Sequence, residues 1–474
     1  MSINTIKPLE TNLILMLDSY KLGHSMMMPK QTCGMFGYIE ARSKGDVIIP
    51  AGMQMFVQKY LSMRVTPADI IEAEQFATAH GEPFDREMWE IVVRDHGGAL
   101  PLIIKSVPEG TPVKSGNILV SVHSEDERVW PIVSIVETML QRAVWYPTTI
   151  ASNDHKVYKM LKDALSETSD NPDAINFMYH DFGGRGVSSH ESAEVGGFAH
   201  LIHFRGSDTV EGVRAANFYY NTPMSAYSVV ASEHSVQTSY GSTEENQAEY
   251  LAMMLDTFAK PGSIVSIVID GYDMMREATQ LCTTFRQKII DSGAKVVFRP
   301  DSGDPIVNVL KILALQSEHF GFTVNSKGFK VVNNVAVIQG DGVDYRTMEL
   351  IIHAVKLNGF GIENVVFGSG GALLQKVNRD TFKFAQKASA IKIKNDDGTF
   401  TWREIFKDPV TDPGKQSKKG ILTLKKDADE FKTVNIIDPA ADAGTVMTTI
   451  YDHGYIFADD TLAQLTERAL SDFK

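Results

Sequence analysis

Residues Asn364–Leu374 read NVVFGSGGALL. A short apolar run ends in a Gly-Ser-Gly-Gly tip, and an apolar stretch with helical character follows. The same rhythm recurs upstream. Asn176–His180 leads into Asp-Phe-Gly-Gly-Arg-Gly, Ser263–Ile269 into Asp270-Gly-Tyr-Asp273, and Lys295–Phe298 into Arg299-Pro-Asp-Ser-Gly303. Val335–Ile338 leads into Gln339-Gly-Asp-Gly342. Amphipathic helical patterns lie between them, one opened by Asp304-Pro305 and one carrying Met348, Ile351, Ile352 and Val355. Uninterrupted apolar strands alternating with such helices mean parallel strands buried on both faces. The period of roughly 30–40 residues suits a closed α/β barrel, and an open doubly wound sheet has the same local pattern. In either architecture the polar tips lie at the carboxyl ends of the strands, where sites form.

Outward from this region the character changes. Upstream, Thr66-Pro67 opens a helix that stops near His80-Gly81. Short strands follow over Lys105–His123, and two helices are expected at Pro131–Arg142 and Thr149–Leu165. Asp170-Asn171-Pro172-Asp173 marks a break. Downstream of Arg379, the alternation at Ala390–Lys394, the turn Asn395–Gly398 and a second hairpin around Gly420–Leu424 read as antiparallel strands. A last helix starts near Thr461. The expected division is 1–170, a mixed α/β segment; 171–385, the α/β barrel with the phosphate and ribose sites; and 386–474, a strand-rich segment packing with the N-terminal part.

The chain has 474 residues, 43% hydrophobic and 22% charged, and a net charge of −13. The composition is that of a globular protein. A strongly acidic chain is a poor general binder of nucleic acid, so any polyanion must be held by a local cationic cluster. Two cysteines, Cys33 and Cys282, exclude a disulfide scaffold and a Cys-rich zinc site and fit a reducing compartment. The first residues lack the pattern of a signal peptide, and no apolar run approaches ~18 residues, so a cytoplasmic protein with no membrane partner is expected.

Several tips carry chemistry. Gly370-Gly371 can aim backbone N–H groups at an anion, with Lys376 and Arg379 placed about two turns into the following helix. Gly183–Gly186 is a second candidate, with Arg185 at the mouth of a helix that a Ser188/Glu191 capping box would start. Two separate nests suggest a ligand with two phosphate groups. Asp270, Asp301 and Asp341 follow strand ends and can hold ribose hydroxyls, Mg²⁺ or a proton; Asp273 reads as an N-cap. His234 ends a shorter apolar run beside Glu233. His200-x-x-His203 lacks a third ligand for zinc, and no G-x-S-x-G elbow or G-x-G-x-x-G fingerprint is present.

These tips, in this order, resemble the nicotinamide phosphoribosyltransferases, within the type II phosphoribosyltransferase family. The resemblance starts at Asp18-Ser-Tyr20-Lys21 and Glu40-Ala-Arg42. It continues through HDFGGRGVSSHE (180–191), Gly206-Ser-Asp208-Thr, Ser232-Glu-His234-Ser, RPDSG (299–303), QGDGVD (339–344), FGSGGALLQK (367–376) and FKDPVTDPGKQSKKG (406–420). It implies an irregular (β/α) barrel with a strand-rich second domain. The implied activity joins nicotinamide to phosphoribosyl pyrophosphate, giving nicotinamide mononucleotide and pyrophosphate in NAD salvage. Mg²⁺, ATP as an activating co-substrate that phosphorylates His234, and a homodimer with shared active sites come with it.

By the same resemblance, Arg185, His234 and Arg299 hold pyrophosphate, joined by Arg42 and Lys21 from a second subunit and more weakly by Lys387, Lys415 and Lys418. Asp301, Gly340 and Asp341 hold the ribose. Gly370, Gly371 and Arg379 hold the 5′-phosphate. Asp18 and Asp270 complete the substrate-binding set. Phe182 and Tyr20 of the second subunit sandwich the pyridine ring. Asp208 accepts from a carboxamide NH₂ and repels a carboxylate, so nicotinamide is expected over nicotinate. Which residues touch Mg²⁺ is left open. Gly184 stands where the family commonly has an aromatic residue. A nicotinate-specific transferase and a non-catalytic phosphosugar-binding barrel are the competing readings.

Overall fold

The computed structural model describes residues 12–411, 416–428 and 430–473. Two seven-stranded sheets organise them. The first is wholly parallel. Along the chain its strands are Tyr179–Asp181, Gly206–Ser207, Val230–Ala231, Ile264–Val268, Lys295–Arg299, Val335–Gln339 and Val365–Ser369. Every pairing among them is parallel. The strands Gly206–Ser207 and Val230–Ala231 stand at its two edges, and a parallel bridge from Gly206 to Tyr227 joins them. The sheet therefore closes, which decides for a barrel over an open sheet.

The uninterrupted apolar character of these strands has its cause in two buried faces. Val296, Phe298, Val335, Val337 and Val365 pack outward into the large core shared with the surrounding helices. Val297, Ala336 and Ile338 form a separate small cluster, with Phe182 and Val366 against it. Alternation along the strands places that cluster on the inner face. The helices between strands start where their sequence dictates. Asp273, Asp304 and Asp344 each cap a helix, accepting hydrogen bonds from its first free N–H groups.

The second sheet is antiparallel and draws on both ends of the chain. Its order is Phe400–Glu404, Phe384–Lys394, Thr32–Ala41, Ile118–His123, Ile103–Ser106, Thr448–Asp452 and Tyr455–Ile456. It has its own core, which includes Tyr38, Trp89, Leu102 and Tyr451. The helix Leu462–Ala469 behaves differently from the strands before it. A Thr461/Gln464 capping box starts it, and its Leu462, Leu465 and Ala469 join the barrel's core.

The first expected helix, Pro131–Arg142, is a short turn, Ile132–Ile135, and the start of a long helix, Glu137–Thr168, which also takes in the second and runs through Pro147. A proline inside a helix costs about 3 kcal/mol in isolation and frees the carbonyl four residues earlier. Burial outweighs this cost. Met139, Leu140 and Val144 pack in the antiparallel-sheet core, while Ile150, Leu161 and Leu165 pack in the barrel core. Gly52, at φ +95°, fits against the interruption; a Cβ there would lie 2.4 Å from Pro147 Cγ and 2.7 Å from the Ala143 carbonyl oxygen. Among the described residues no helix is long and apolar enough to cross a membrane.

Candidate active site

Because all barrel strands run the same way, their carboxyl ends form one rim. Asp181, Asp208, His234, Asp270, Arg299, Asp301, Gly340, Asp341, Gly370 and Gly371 all end or directly follow barrel strands. The resemblance and the glycine pattern thus converge on one end of the barrel.

His234 and two acids make the first cluster. His234 Nε2 lies 3.0 Å from Asp270 Oδ1, and its Nδ1 lies 3.8 Å from Asp301 Oδ2. The Asp270 side chain is 2% exposed and that of His234 is 43% exposed. The second oxygen of Asp270 accepts from the Asp301 backbone N–H at 2.9 Å and from Ser302 Oγ at 2.6 Å. One carboxylate therefore fixes both the imidazole and the turn after Arg299. On that turn, the buried Nε of Arg299 has no hydrogen-bond partner. A buried donor without an acceptor is costly, and an anion at the rim would satisfy it.

Phe182 makes a second wall. A Cβ at Gly368 would lie 2.0 Å from Phe182 Cε2, so the ring rests directly on the glycine backbone of the neighbouring strand. A Cβ at Gly340 would lie 3.8 Å from the same Phe182 Cε2 and 3.0 Å from Asp301 Oδ1. Phe182, Gly340 and Asp301 are neighbours for this reason. The loop is tied down by Phe182 N–H to Ser369 O at 2.9 Å and by Gly183 N–H to Asp181 Oδ1 at 2.7 Å. Asp208 N–H donates to Asp181 O at 2.9 Å, and the exposed Asp208 carboxylate accepts from Ser228 Oγ.

The two glycine loops are not separate nests. A Cβ at Gly186 would lie 3.3 Å from Gly371 Cα, and one at Gly183 would lie 2.9 Å from Gly370 O. They form one continuous backbone wall, since neither loop has a side chain to hold the other away. The helix after Arg185 starts from Ser189, whose side chain accepts from Ser192 N–H. Glu191 instead pairs with Lys59 and takes the Tyr60 hydroxyl, so the expected Ser188/Glu191 box is absent. The helix Gly371–Leu374 is a single turn, which leaves Arg379 in the turn beyond it, 58% exposed and 3.5 Å from Asp380. Arg185 is exposed. A side chain at Gly184 would press on Thr209 Oγ1 at 3.1 Å.

Arg379 belongs to a cationic patch. Burial lowers the Lys387 pKa against the opposing charge of Glu137, and Arg42, Lys21 and Arg379 add to the lowering through their charge. Lys21 is itself buried against Glu137, and Lys418 pairs with Glu40. Lys415 lies outside the described residues. Asp18 is held by Thr138, whose hydroxyl donates to Asp18 Oδ2 at 2.8 Å, and the exposed Tyr20 meets His24 edge to face at 4.8 Å. Both belong to the N-terminal segment, and among the described residues no hydrogen bond joins either to the rim. Ser302, Ser228, Gly368 and Asp181 were missed as site residues. For Ser302, Ser228 and Gly368 the contact partner is far away in sequence, whereas Asp181 ties down the Gly183 N–H two residues on.

Comparison with known proteins adds the following. The profile of the nicotinate phosphoribosyltransferase (NAPRTase) family matches residues 177–439. That of the nicotinamide phosphoribosyltransferase N-terminal domain matches residues 12–104. A nicotinamide phosphoribosyltransferase of Xanthomonas campestris pv. campestris is 42% identical over 97% of this chain and 98% of its own length. One of Mycoplasma pneumoniae is 31% identical over 88% of this chain and 97% of its own. Among solved structures, nicotinate-nucleotide pyrophosphorylase of Pyrococcus furiosus superposes with a TM-score of 0.61 at 14% identity, covering 100% of this chain and 98% of that one. Human nicotinic acid phosphoribosyltransferase has a TM-score of 0.54 at 15% identity, covering 95% and 92%. At those identities the two structures speak for the fold.

Proposed function

The chain belongs to the nicotinate phosphoribosyltransferase family, and on that premise we infer that it transfers the 5-phosphoribosyl group of phosphoribosyl pyrophosphate to nicotinamide. The products are nicotinamide mononucleotide and pyrophosphate, a step of NAD salvage. The observation that carries the choice of base is the exposed Asp208 carboxylate, directly after the strand Gly206–Ser207 and beside the Phe182 loop. An ionised carboxylate accepts from a carboxamide N–H and repels the carboxylate of nicotinate.

The pyridine nitrogen is a neutral nucleophile and has no proton to lose, so the reaction needs no general base. The barrier lies in the departure of pyrophosphate from an oxocarbenium-like ribose. Cationic groups fixed at the leaving oxygens lower it, one well-placed donor contributing ~3 kcal/mol. We assign that role to Arg185, Arg299 and His234. Asp301, Gly340 and Asp341 take the ribose, and the glycine wall with Arg379 takes the 5′-phosphate. Phe182 stacks on the base, with Tyr20 and Arg42 of a second copy completing the site in a homodimer. Two buried free cysteines support a cytoplasmic location.

Among the described residues no three His, Cys, Asp or Glu side chains are grouped to hold a metal ion. That fits Mg²⁺, which is commonly bound by substrate phosphates, water and one or two carboxylates. Asp301 is the carboxylate we assign. When bound, Mg²⁺ offsets the phosphate charge of the substrate in a chain that is itself acidic. The affinity for phosphoribosyl pyrophosphate is therefore expected to fall steeply when a chelator removes Mg²⁺ and when ionic strength rises. A KM for that substrate indifferent to both would remove the cationic rim from the account.

The deciding assay feeds each base with phosphoribosyl pyrophosphate, with and without ATP, and follows nucleotide formation. Nicotinamide is expected to win, and ATP acting through His234 is expected to raise turnover. Asp208→Ser is expected to cut the nicotinamide-over-nicotinate ratio of kcat/KM by at least about tenfold. An unchanged ratio would leave nicotinate as the better reading.

A further inference from the structure

Behind the base slot lies a buried polar cluster to which the assigned roles give no task. Asp154 projects from the helix Glu137–Thr168, and His200 ends the helix His190–His200. Their side chains are 1% and 0% exposed. His200 Nδ1 lies 2.8 Å from Asp154 Oδ2, and His200 Nε2 lies 3.2 Å from the Gly206 carbonyl oxygen. A carbonyl only accepts, so Nε2 carries a proton. Nδ1 faces a carboxyl oxygen, so a second proton lies between the ring and Asp154.

Burial opposes charge on His200, but Asp154 and Asp181 outweigh it and raise the His200 pKa. Burial likewise raises Asp154, to about 6. The imidazole therefore shares a proton with Asp154 and feels two buried carboxyl groups. Asp181, fully buried, is the second of them. Its Oδ1 accepts from Gly183 N–H at 2.7 Å, while its Oδ2 lies toward Gly197 on the His200 helix.

Both walls of the base slot start from this cluster. Gly206, gripped by the imidazole, is two residues before Asp208. Asp181, which lies against the His200 helix at Gly197, holds the turn that carries Phe182. We propose that Asp154 and His200 are positioning residues for nicotinamide, one buried pair setting the Asp208 strand and the Phe182 turn at once. The pair lies behind those residues and touches no substrate. Replacing a buried ion pair by apolar residues of similar volume is often neutral for stability, so the double variant is expected to fold. This inference rests on the base slot assigned above.

The test compares wild type with the double variant Asp154→Leu/His200→Phe and with Asp154→Asn. Each is measured for melting temperature, kcat, and KM for both substrates. The double variant is expected to raise the nicotinamide KM about tenfold, the loss of one or two hydrogen bonds. Its kcat and its KM for phosphoribosyl pyrophosphate are expected to stay within about twofold of wild type, as uniform loss of base binding requires. Asp154→Asn can donate to Nδ1 and keep the Gly206 bond, but it replaces the carboxyl group that shares a proton with the ring. Its expected rise in nicotinamide KM is about threefold, a fraction of one such bond. If the double variant does not fold, that smaller rise carries the test. An unchanged nicotinamide KM in the folded variants, or both KM values moving together, overturns the role of the pair. A wild type that makes no nucleotide from nicotinamide overturns the base slot itself.

Discussion

Arg299→Ala is expected to lower turnover by about two to three orders of magnitude, the size of effect seen when one fixed donor to a developing anion is removed. The structural ground is the buried Nε of Arg299, which has no acceptor in the protein. Its backbone is fixed, because the Arg299 carbonyl accepts from Ile269 N–H at 3.2 Å. A guanidinium held in place with an unsatisfied donor is preorganised for an anionic ligand. The same fact sets the sign of the stability effect. Removing a partly buried charge without a partner relieves a cost, so the melting temperature of the ligand-free variant is expected to match or exceed that of wild type. Arg299→Lys is expected to recover only part of the rate, because an ammonium cannot reproduce the planar fork. Turnover within about fivefold of wild type in Arg299→Ala would remove Arg299 from the leaving-group machinery.

Asp270→Ala is expected to act on stability and turnover together. The carboxylate takes the His234 imidazole on one oxygen and the Asp301 N–H and Ser302 hydroxyl on the other. Its removal leaves donors without an acceptor, each such loss costing about 1–3 kcal/mol. Rim groups can recover part of this through water, so a loss of about 2–4 kcal/mol is expected by denaturant unfolding. Turnover is expected to fall about a hundredfold, because an unheld imidazole no longer faces the substrate in one orientation. The contrast with Arg299→Ala is diagnostic: one variant loses rate with stability kept, the other loses both. A destabilised Asp270→Ala that retained wild-type turnover would reduce Asp270 to a structural staple.

Much of the site was legible in the sequence because barrel strands announce themselves. A strand buried on both faces must be apolar throughout, and its end must become polar where it meets solvent. Asp270, Arg299, Gly340 and Gly370 could be placed at one rim on that ground before any coordinates. The caps at Asp273 and Asp304 were legible for a similar reason, since the hydrogen bonds are local. What escaped depends on distance. The passage of a helix through Pro147 is decided by Gly52 and two cores, none of them near it in sequence. The fusion of two glycine loops into one wall depends on Gly186 meeting Gly371 from the end of the neighbouring strand, far away in sequence. His200 lacked a third metal ligand in the sequence, and its real partners, Asp154 and the Gly206 carbonyl, are visible only in three dimensions.

The antiparallel sheet sets a constraint on how the chain is made. Ile103–Ser106 pairs with Thr448–Asp452, and Thr32–Ala41 with Phe384–Lys394. During synthesis the early strands emerge hundreds of residues before their neighbours. Thr32–Ala41 can pair early with Ile118–His123, but its other edge stays open until the barrel has been translated. An open, apolar strand edge is a template for pairing with other chains. Such distant pairing also slows closure of the sheet, because the loop entropy is lost before the contacts are gained. The barrel that carries the chemistry thus separates the two halves of its neighbour in time as well as in sequence, and the nascent chain is most exposed to misassembly while that barrel is being made.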